Sequence, residues 1–280
     1  MIYTVLTLFP EITGAFFASS IMAKAISRGI IRYRAINIRD YALDRHKTCD
    51  DAPYGGGPGM LMLGEPLGRA LEAAGARKKN SESVYARHQT GALSQTGALS
   101  RSRVIYLSPS GRPFSQSLAR ELAAGEELIL LCGRYEGIDQ RIIDLYVDDE
   151  ISVGDYVLSS GETAALVVID ATYRLVDRVI AAESLEEESF SGGLLEYPQY
   201  TRPEMYDTIK VPEVLLSGHH ENIRRWRLER RVEKTLSLRP DLIRRGRKAG
   251  LFDEETERVI NDLAAGRHGA PDDSTGEEDE

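Results

Sequence analysis

Three glycine-containing loops carry the residue types that could bind a ligand through the backbone. They are residues 108–111 (Ser-Pro-Ser-Gly), residues 132–139 (Cys-Gly-Arg-Tyr-Glu-Gly-Ile-Asp) and residues 152–162, which begin Ser-Val-Gly-Asp-Tyr. Glycine after a strand lets backbone amides approach a ligand closely. Any one of these loops is equally consistent with a simple tight turn, so a single loop is a weak signal. Together the three loops predict one composite pocket.

Short apolar runs precede the first two loops and predict the strands that position them. Residues 104–107 and 128–131 are continuously aliphatic or aromatic, as expected of parallel strands covered by helices on both faces. Ligands of such sheets lie beyond the carboxyl ends of the strands. The rest of the N-terminal part also alternates between strand and helix signals, which favours an α/β fold. The expected elements are a strand at 3–8, a helix from Pro10, a helix ending near Gly29, a strand at 31–38, a helix ending at Gly75 and a helix from Ser115 to Gly125.

Composition sets broad limits on the class of protein. The chain has 280 residues, 42% of them hydrophobic, which is ordinary for a globular protein with a sizeable core. No apolar stretch approaches the length of a membrane span. The only two cysteines, Cys49 and Cys132, have no metal-ligand spacing and form no disulfide framework. These features predict a reduced, cytoplasmic protein with no membrane association.

The distribution of charge matters more than the net charge of −9. Six acidic residues lie within the last nine positions, whereas residues 210–250 contain twelve Lys or Arg against five Asp or Glu. Attraction of phosphate depends on the local basic field, and an acidic tail is typical of a solvated appendage. The overall acidity therefore does not exclude an RNA partner.

The three loops and several further motifs match one known family. In colinear order the chain resembles the bacterial tRNA (guanine-N1)-methyltransferases, which belong to the SPOUT class. Only residues 77–102 and the tail fall outside the resemblance. The additional matching segments are Asp44-Arg45-His46-Lys47, residues 53–60 (Pro-Tyr-Gly-Gly-Gly-Pro-Gly-Met), Tyr200-Thr201-Arg202-Pro203, residues 215–219 and residues 223–227.

The resemblance implies a fold and a domain organisation. It implies an α/β, SPOUT-type knotted catalytic domain with a parallel sheet, followed by a small all-helical C-terminal domain. The knot follows from the resemblance alone, because knots violate the usual topology rules. Expected boundaries are a catalytic domain at 1–182 containing a mobile insertion at 77–102, a linker at 183–200, a basic helical tRNA-binding domain at 201–268 and an acidic disordered tail at 269–280.

The chemistry of methylating guanine N1 requires a base and a cation. N1 carries a proton at neutral pH, so a base must remove it while the charge that develops on O6 is stabilised. The resemblance places these roles at Glu188 and Arg174, although the family usually has aspartate at the first position. Glu187 is a rival base. Without the resemblance, the glutamates would be interpreted as a solvated linker and Arg174 as a partner of the helix dipole.

The resemblance also implies residues that contact the donor and the RNA. Glu136 would hold the guanine edge or a ligand amine, unless it only caps a helix. Two donor-loop positions, Ser110 and Ser160, depart from the usual glutamine and glycine. Positions expected to bind S-adenosylmethionine are Pro109, Gly133, Tyr135, Gly137, Ile138, Gly154, Tyr156, Leu158 and Gly161. Positions expected to bind tRNA are His46, Asp50, Arg224, Arg225, Arg227, Arg230 and Arg231.

The resemblance implies that the chain transfers a methyl group from S-adenosylmethionine to N1 of the guanosine immediately 3′ of the anticodon in tRNA. A homodimer that shares each active site between subunits is implied. The family depends on Mg²⁺, but the sequence shows no dedicated metal-ligand cluster. The alternatives are a SPOUT enzyme with another RNA target and a non-catalytic RNA-binding protein. Binding of S-adenosylmethionine would separate the two enzymes from a non-catalytic RNA-binding protein, which should not bind it.

Overall fold

A computed structural model describes residues 1–80, 102–181 and 188–266. The chain divides into two compact units, Met1–Ile180 and Ala181–Glu280. Residues 81–101 of the expected insertion, Glu187 and the expected acidic tail at 269–280 lie outside the described residues.

The first unit is built on a five-stranded parallel sheet in the order β2-β1-β6-β5-β7. This arrangement confirms the predicted parallel α/β sheet. The strands are β1 (Ile2–Thr7), β2 (Arg32–Asn37), β5 (Ser102–Pro113), β6 (Glu127–Leu131) and β7 (Asp149–Ser152), and a separate antiparallel pair is formed by β3 (Asp50–Asp51) and β4 (Leu61–Met62).

Helices cover both faces of this sheet, which explains the continuous apolar strands. Along β6, Leu128 and Leu130 belong to one core cluster, whereas Ile129 and Leu131 belong to the other. Alternate side chains of a strand point to opposite faces, so each face needs its own layer of helices. Those helices are α1 (Pro10–Phe17), α2 (Ser20–Ser27), α3 (Gly64–Ala74), α4 (Gln116–Ala123), α5 (Gln140–Tyr146) and α6 (Gly161–Tyr173).

Local capping explains where the predicted helices begin and end. The helix α3 ends at Gly75, whose φ of +96° is the left-handed conformation that glycine adopts without strain. The hydroxyl of Ser115 accepts a hydrogen bond from the backbone N–H of Leu118 and caps α4. Both signals were visible in the sequence.

The structure departs from the expected loop at 108–111. Strand β5 continues to Pro113 and pairs with β7 on both sides of a register shift between Leu107 and Arg112. A Cβ on Gly111 would lie 2.4 Å from the backbone nitrogen of Ile151. Glycine therefore permits a close approach of two backbones here, which a loop prediction from composition could not show.

The second unit has its own small core. Leu194, Val232, Ile243 and Ile260 come from four separate segments and are all nearly inaccessible to solvent. Contrary to the all-helical expectation, this unit also contains a short hairpin of β8 (Met205–Tyr206) and β9 (Ile209–Lys210). The helices of this unit are α7 (Glu213–Leu216), α8 (His220–Leu238), α9 (Pro240–Lys248) and α10 (Glu254–Ala264).

No helix in the described ranges is long and apolar enough to cross a membrane.

Candidate functional site

A cavity of about 200 Å³ lies beside the middle of β5, at the carboxyl ends of β6 and β7. All three glycine-containing loops contribute to its wall, as the sequence predicted for a composite pocket. Its lining consists of residues 106–109, 133–137, 151–154, 156–161 and Ala164.

The second loop, residues 132–139, is held by backbone hydrogen bonds to β4 and the residue before it. The N–H of Glu136 donates to the carbonyl of Met60 over 3.0 Å, and the N–H of Met62 donates to the carbonyl of Gly137 over 3.0 Å. Tyr135 has a φ of +58° and Gly137 a φ of +137°. The sharp turn therefore presents backbone groups toward the cavity while its ends stay fixed.

The start of α6 packs directly against the second loop. The N–H of Gly161 donates to the carbonyl of Gly133 over 2.9 Å. A Cβ on Gly161 would lie 2.7 Å from both Cys132 Cα and Gly133 N. Only glycine allows this contact between two backbones, since neither contacted atom belongs to a movable side chain.

The third loop, residues 152–162, turns back on itself beside the cavity. The hydroxyl of Ser152 donates to the carbonyl of Gly154 over 3.0 Å, and the hydroxyl of Tyr156 donates to the carbonyl of Val153. Tyr156 is 55% exposed and Val157 is 88% exposed, which leaves apolar surface at the cavity mouth.

An ion cluster anchors the two sides of the first loop. Asp149 of β7 is 5% exposed and pairs with Arg103, which precedes the loop, and with Arg112, which follows it. The Arg112 guanidinium lies 2.8 Å from a carboxylate oxygen of Asp149. One buried carboxylate thus joins both ends of the segment that carries Pro109.

Most of the residues predicted to bind the donor line this cavity. Ile138 is the exception: it is 6% exposed and belongs to a core cluster beside the cavity. Ser160, one of the departures from the family pattern, lines the cavity with an extended backbone that any residue adopts. Ser110 lies outside the lining, where its hydroxyl is 2.7 Å from that of Ser108. The predicted positions on the wall are Pro109, Gly133, Tyr135, Gly137, Gly154, Tyr156, Leu158 and Gly161.

The three predicted catalytic residues belong to different segments of the chain. Glu136 is on the cavity wall, and its side chain occupies the space that a Cβ on Gly59 would need. Asp139, rather than Glu136, caps α5 by accepting from the N–H of Arg141. Arg174 is the half-buried C-cap of α6 and is not part of the cavity lining. Glu188 belongs to the second unit, where its carbonyl accepts a hydrogen bond from the N–H of Ser191.

The segment with His46 and Asp50 approaches the rim of the cavity on one side. Burial, followed by the charge and hydrogen bond of Asp50, raises the pKa of Tyr135, a residue of the cavity wall. His46 is exposed and its N–H donates to the Asp44 carboxylate. Hydrogen bonds from Thr48 and from that N–H lower the pKa of Asp44. Asp50 is therefore beside the pocket, whereas His46 faces solvent on an ordered turn.

The predicted tRNA-binding arginines of α8 are already engaged within the second unit. Arg224 contacts Glu221 and Glu255, and Arg225 contacts Glu229. Arg231 donates to the carbonyls of Ser191 and Leu195.

Two further arginines of this helix have different partners. The guanidinium of Arg227 lies 4.8 Å from the ring centre of Tyr197, and Arg230 pairs with Glu233. Exposed ion pairs are weak. The ion pairs of Arg224 and Arg225 are of this kind, whereas the side chain of Arg230 is only 31% exposed. Arg227 and Arg231 have structural contacts instead.

Sequence reasoning missed two residues at the cavity. Tyr106 lines it from β5, and burial together with Glu150 raises the pKa of Tyr106 to about 12, so its phenol keeps its proton at neutral pH. Glu162, the second residue of α6, is 1% exposed just behind the wall. In the sequence, Tyr106 is one residue of an ordinary apolar strand, and Glu162 resembles an ordinary acidic residue in the first turn of a helix.

In the parts of the chain that the structure describes, no three His, Cys, Asp or Glu side chains form a group that could hold a metal ion.

A covered parallel sheet with a glycine-walled cavity at its strand ends defines an α/β ligand-binding protein. Comparison with known proteins identifies the family. The family profile described as "tRNA (Guanine-1)-methyltransferase TrmD" matches residues 1–245. The chain therefore belongs to this family.

Individual relatives are similar over nearly their full length. A tRNA (guanine-N(1)-)-methyltransferase of Treponema denticola is 58% identical over 263 residues, covering 94% of this chain and 99% of the relative. The protein of that name from Treponema pallidum is 54% identical over 259 residues, covering 92% of this chain and 94% of the relative. The protein of that name from Borreliella burgdorferi is 54% identical over 244 residues, covering 86% of this chain and 92% of the relative.

Proposed function

We propose that this chain transfers a methyl group from S-adenosylmethionine to N1 of the guanosine immediately 3′ of the anticodon in tRNA. The observation that carries the proposal is the single cavity formed by all three glycine-containing loops, in a chain of the tRNA (guanine-1)-methyltransferase family. A non-catalytic RNA-binding protein would have no need of a cavity built in this way.

The cavity wall has the chemistry that an adenosine-containing donor requires. Backbone groups at Gly133, Gly137 and Gly161 can approach a ligand without interference from side chains. Leu158 and Ala164 supply apolar surface for the face of a purine, next to backbone amides and carbonyls that can recognise its edge. S-adenosylmethionine supplies an activated methyl group, so the protein's task is mainly to position it and to exclude competing reactions.

The remaining chemistry concerns the proton on guanine N1. In this proposal Glu188 accepts that proton, Arg174 stabilises the charge that develops on O6, and Glu136 holds the guanine edge. The exposed position of Glu136 on the cavity wall supports contact with an incoming base. Since the family usually has aspartate where this chain has Glu188, the longer side chain requires a compensating shift of the backbone.

The active enzyme in this proposal is a homodimer of SPOUT-type knotted domains, with the segment around Glu188 completing the pocket of the partner subunit. One isologous twofold interface would create two equivalent sites. Support comes from Arg174, which belongs to the same unit as the cavity but lies outside its described lining. The proposal assigns catalysis to 1–182, the linker to 183–200 and RNA binding to 201–268.

tRNA would be bound through His46, Asp50 and the basic face of α8, in the cytoplasm where tRNA is modified. Magnesium would act without a dedicated protein site, through the RNA. Adding a chelator at constant ionic strength should then lower methylation of tRNA without changing the affinity for the donor.

The deciding experiment maps the methylated position. Purified protein is incubated with S-adenosylmethionine and a tRNA transcript that has guanosine 3′ of the anticodon, and the product is analysed by reverse-transcription arrest and nucleoside mass spectrometry. The matched control is the same transcript with adenosine at that position. N1-methylguanosine at the expected site, and none in the control, supports the proposal. Methylation elsewhere indicates another RNA target, and donor binding without methylation of any tRNA refutes the proposed reaction.

A further inference from the structure

Glu162 carries a buried carboxylate with which no cation pairs among the described residues. It is 1% exposed, and one of its oxygens accepts a hydrogen bond from the hydroxyl of Thr7. The other oxygen has no hydrogen-bond partner among the described residues. By contrast, the buried carboxylate of Asp149 pairs with two arginines. A buried, partly unsatisfied carboxylate disfavours folding, so its presence calls for an explanation other than stability.

The carboxylate is fixed in position by a chain of contacts that ends at the cavity. The N–H of Phe9 donates to Thr7 Oγ1 over 2.9 Å, and that hydroxyl in turn donates to Glu162. The ring of Phe9 lies 4.8 Å from the guanidinium carbon of Arg134, a residue of the cavity wall. The hydrogen bond from Thr7 thus joins Glu162, at the start of α6, to the end of β1.

The carboxylate also lies immediately behind the cavity wall. Gly161 precedes it and Ala164 follows two residues later, and both line the cavity. On the side of β6, burial and then the charge of Glu162 raise the pKa of the Cys132 thiol, next to Gly133 of the wall. Glu162 therefore acts electrostatically on the buried residue that begins the second loop.

Exposure distinguishes Glu162 from the acidic residue on the wall itself. Glu136 is exposed, so water and salt screen its charge. A buried charge is screened much less and acts at an effective dielectric constant of about 20 rather than about 80. The two carboxylates should therefore respond differently to ionic strength.

We propose that Glu162 determines charge specificity in the donor pocket, favouring the positively charged sulfonium of S-adenosylmethionine over the neutral thioether of S-adenosylhomocysteine. The inference rests on the proposed function, since it assumes that the cavity holds the donor. The two ligands differ by the methyl group and one positive charge, so an anion behind the wall favours only the first. Such a preference would help the product to leave when donor is abundant.

The test compares the affinities of the two ligands. Isothermal titration measures S-adenosylmethionine and S-adenosylhomocysteine binding to the wild-type chain and to Glu162→Gln, which keeps an oxygen for Thr7 but removes the charge. Affinity for S-adenosylmethionine should fall about tenfold, the order expected for one poorly screened charge. Affinity for S-adenosylhomocysteine should change less than about twofold, within ordinary context effects.

Thr7→Val is the matched control, because it removes the hydrogen bond but keeps the carboxylate. It should change both affinities by the same factor, and thermal melting checks that each variant is folded. If Glu162→Gln lost affinity for both ligands by the same factor, the carboxylate would only position the loop, and the proposal would be overturned. An unchanged affinity ratio would overturn it as well.

If Glu162→Gln does not fold, a measurement on the wild-type chain tests whether a buried charge causes the preference for S-adenosylmethionine. The ratio of the two affinities should stay constant as salt is raised, because the responsible charge is buried. A ratio that collapses at high salt would assign the selectivity to exposed groups and refute the role of Glu162. Failure of the wild-type chain to bind either ligand would instead refute the proposed function.

Discussion

Replacing Gly161 by alanine tests whether the contact between α6 and the second loop shapes the donor pocket. The new Cβ would lie 2.7 Å from Cys132 Cα and from Gly133 N. Carbon atoms pack best at a separation of about 3.5 Å, so the two backbones must move apart by about 0.8 Å. Gly161 and Gly133 both line the cavity, so this movement displaces the cavity wall itself.

The expected costs differ for stability and for function. Overpacking of this kind typically lowers the free energy of unfolding by about 1–3 kcal/mol, which a folded domain tolerates. A displacement near 1 Å in a positioning element can reduce catalysis by about 100-fold. We therefore expect Gly161→Ala to stay folded, to bind S-adenosylmethionine at least about tenfold more weakly and to lose about ten- to 100-fold in kcat/KM.

Gly14→Ala is the matched control. Gly14 lies within α1, where an added Cβ would have no neighbour within 4 Å. Alanine there should raise the free energy of unfolding by about 0.5–1 kcal/mol and leave donor affinity unchanged. Calorimetric titration and chemical denaturation provide the two readouts. If Gly161→Ala lost stability but bound the donor like the wild type, the contact would be purely structural and the reasoning about the pocket would be wrong.

Three further predictions concern the base, the RNA and the dimer. Glu188→Gln should leave donor binding intact and slow single-turnover methylation by about 10²–10⁴, the range for a positioned base, whereas Glu187→Gln should change it far less; similar or reversed effects would show that the base is misassigned. Arg225→Gln should flatten the salt dependence of tRNA binding by about one unit, because its side chain is 72% exposed. Arg231→Gln should instead lower the melting temperature, since this guanidinium holds two backbone carbonyls of its own unit, and equal salt slopes for both variants would contradict this distinction. Mixing the Gly161→Ala and Glu188→Gln variants under conditions that exchange subunits should restore one fully active site per heterodimer and so raise activity above that of either variant alone. No recovery despite verified exchange would mean that each chain completes its own site.

Much of the sheet was predictable because its strands carry strong patterns. The runs at 104–107 and 128–131 are apolar at every position, and the structure places them in two neighbouring central strands. The β3–β4 pair was missed because strands of two residues carry no periodicity. The extension of β5 was missed because its pairing with β7 depends on a close backbone contact at Gly111, and only the folded chain reveals such a contact.

The candidate pocket was predictable only as a set of loops. Glycine is informative because a tight backbone contact excludes a side chain, as at Gly161. Tyr106 and Glu162 carry no such signal, since their importance depends on what surrounds them. Glu162 looks like an acidic residue placed favourably in a first helical turn until the structure shows it to be 1% exposed.

The basic helix α8 shows why a count of charges is an incomplete guide to an RNA surface. Twelve basic residues against five acidic ones in 210–250 predict a region that attracts phosphate. The structure shows that glutamates and carbonyls of the same unit already contact many of these cations, Arg224 contacting two glutamates at once. On α9, Arg244 and Lys248 are exposed, four residues apart, and have no ion-pair partner among the described residues. An incoming phosphate must displace a carboxylate at Arg224 but nothing at Lys248, so the attraction exerted by a basic segment depends on the partners of its cations as much as on their number.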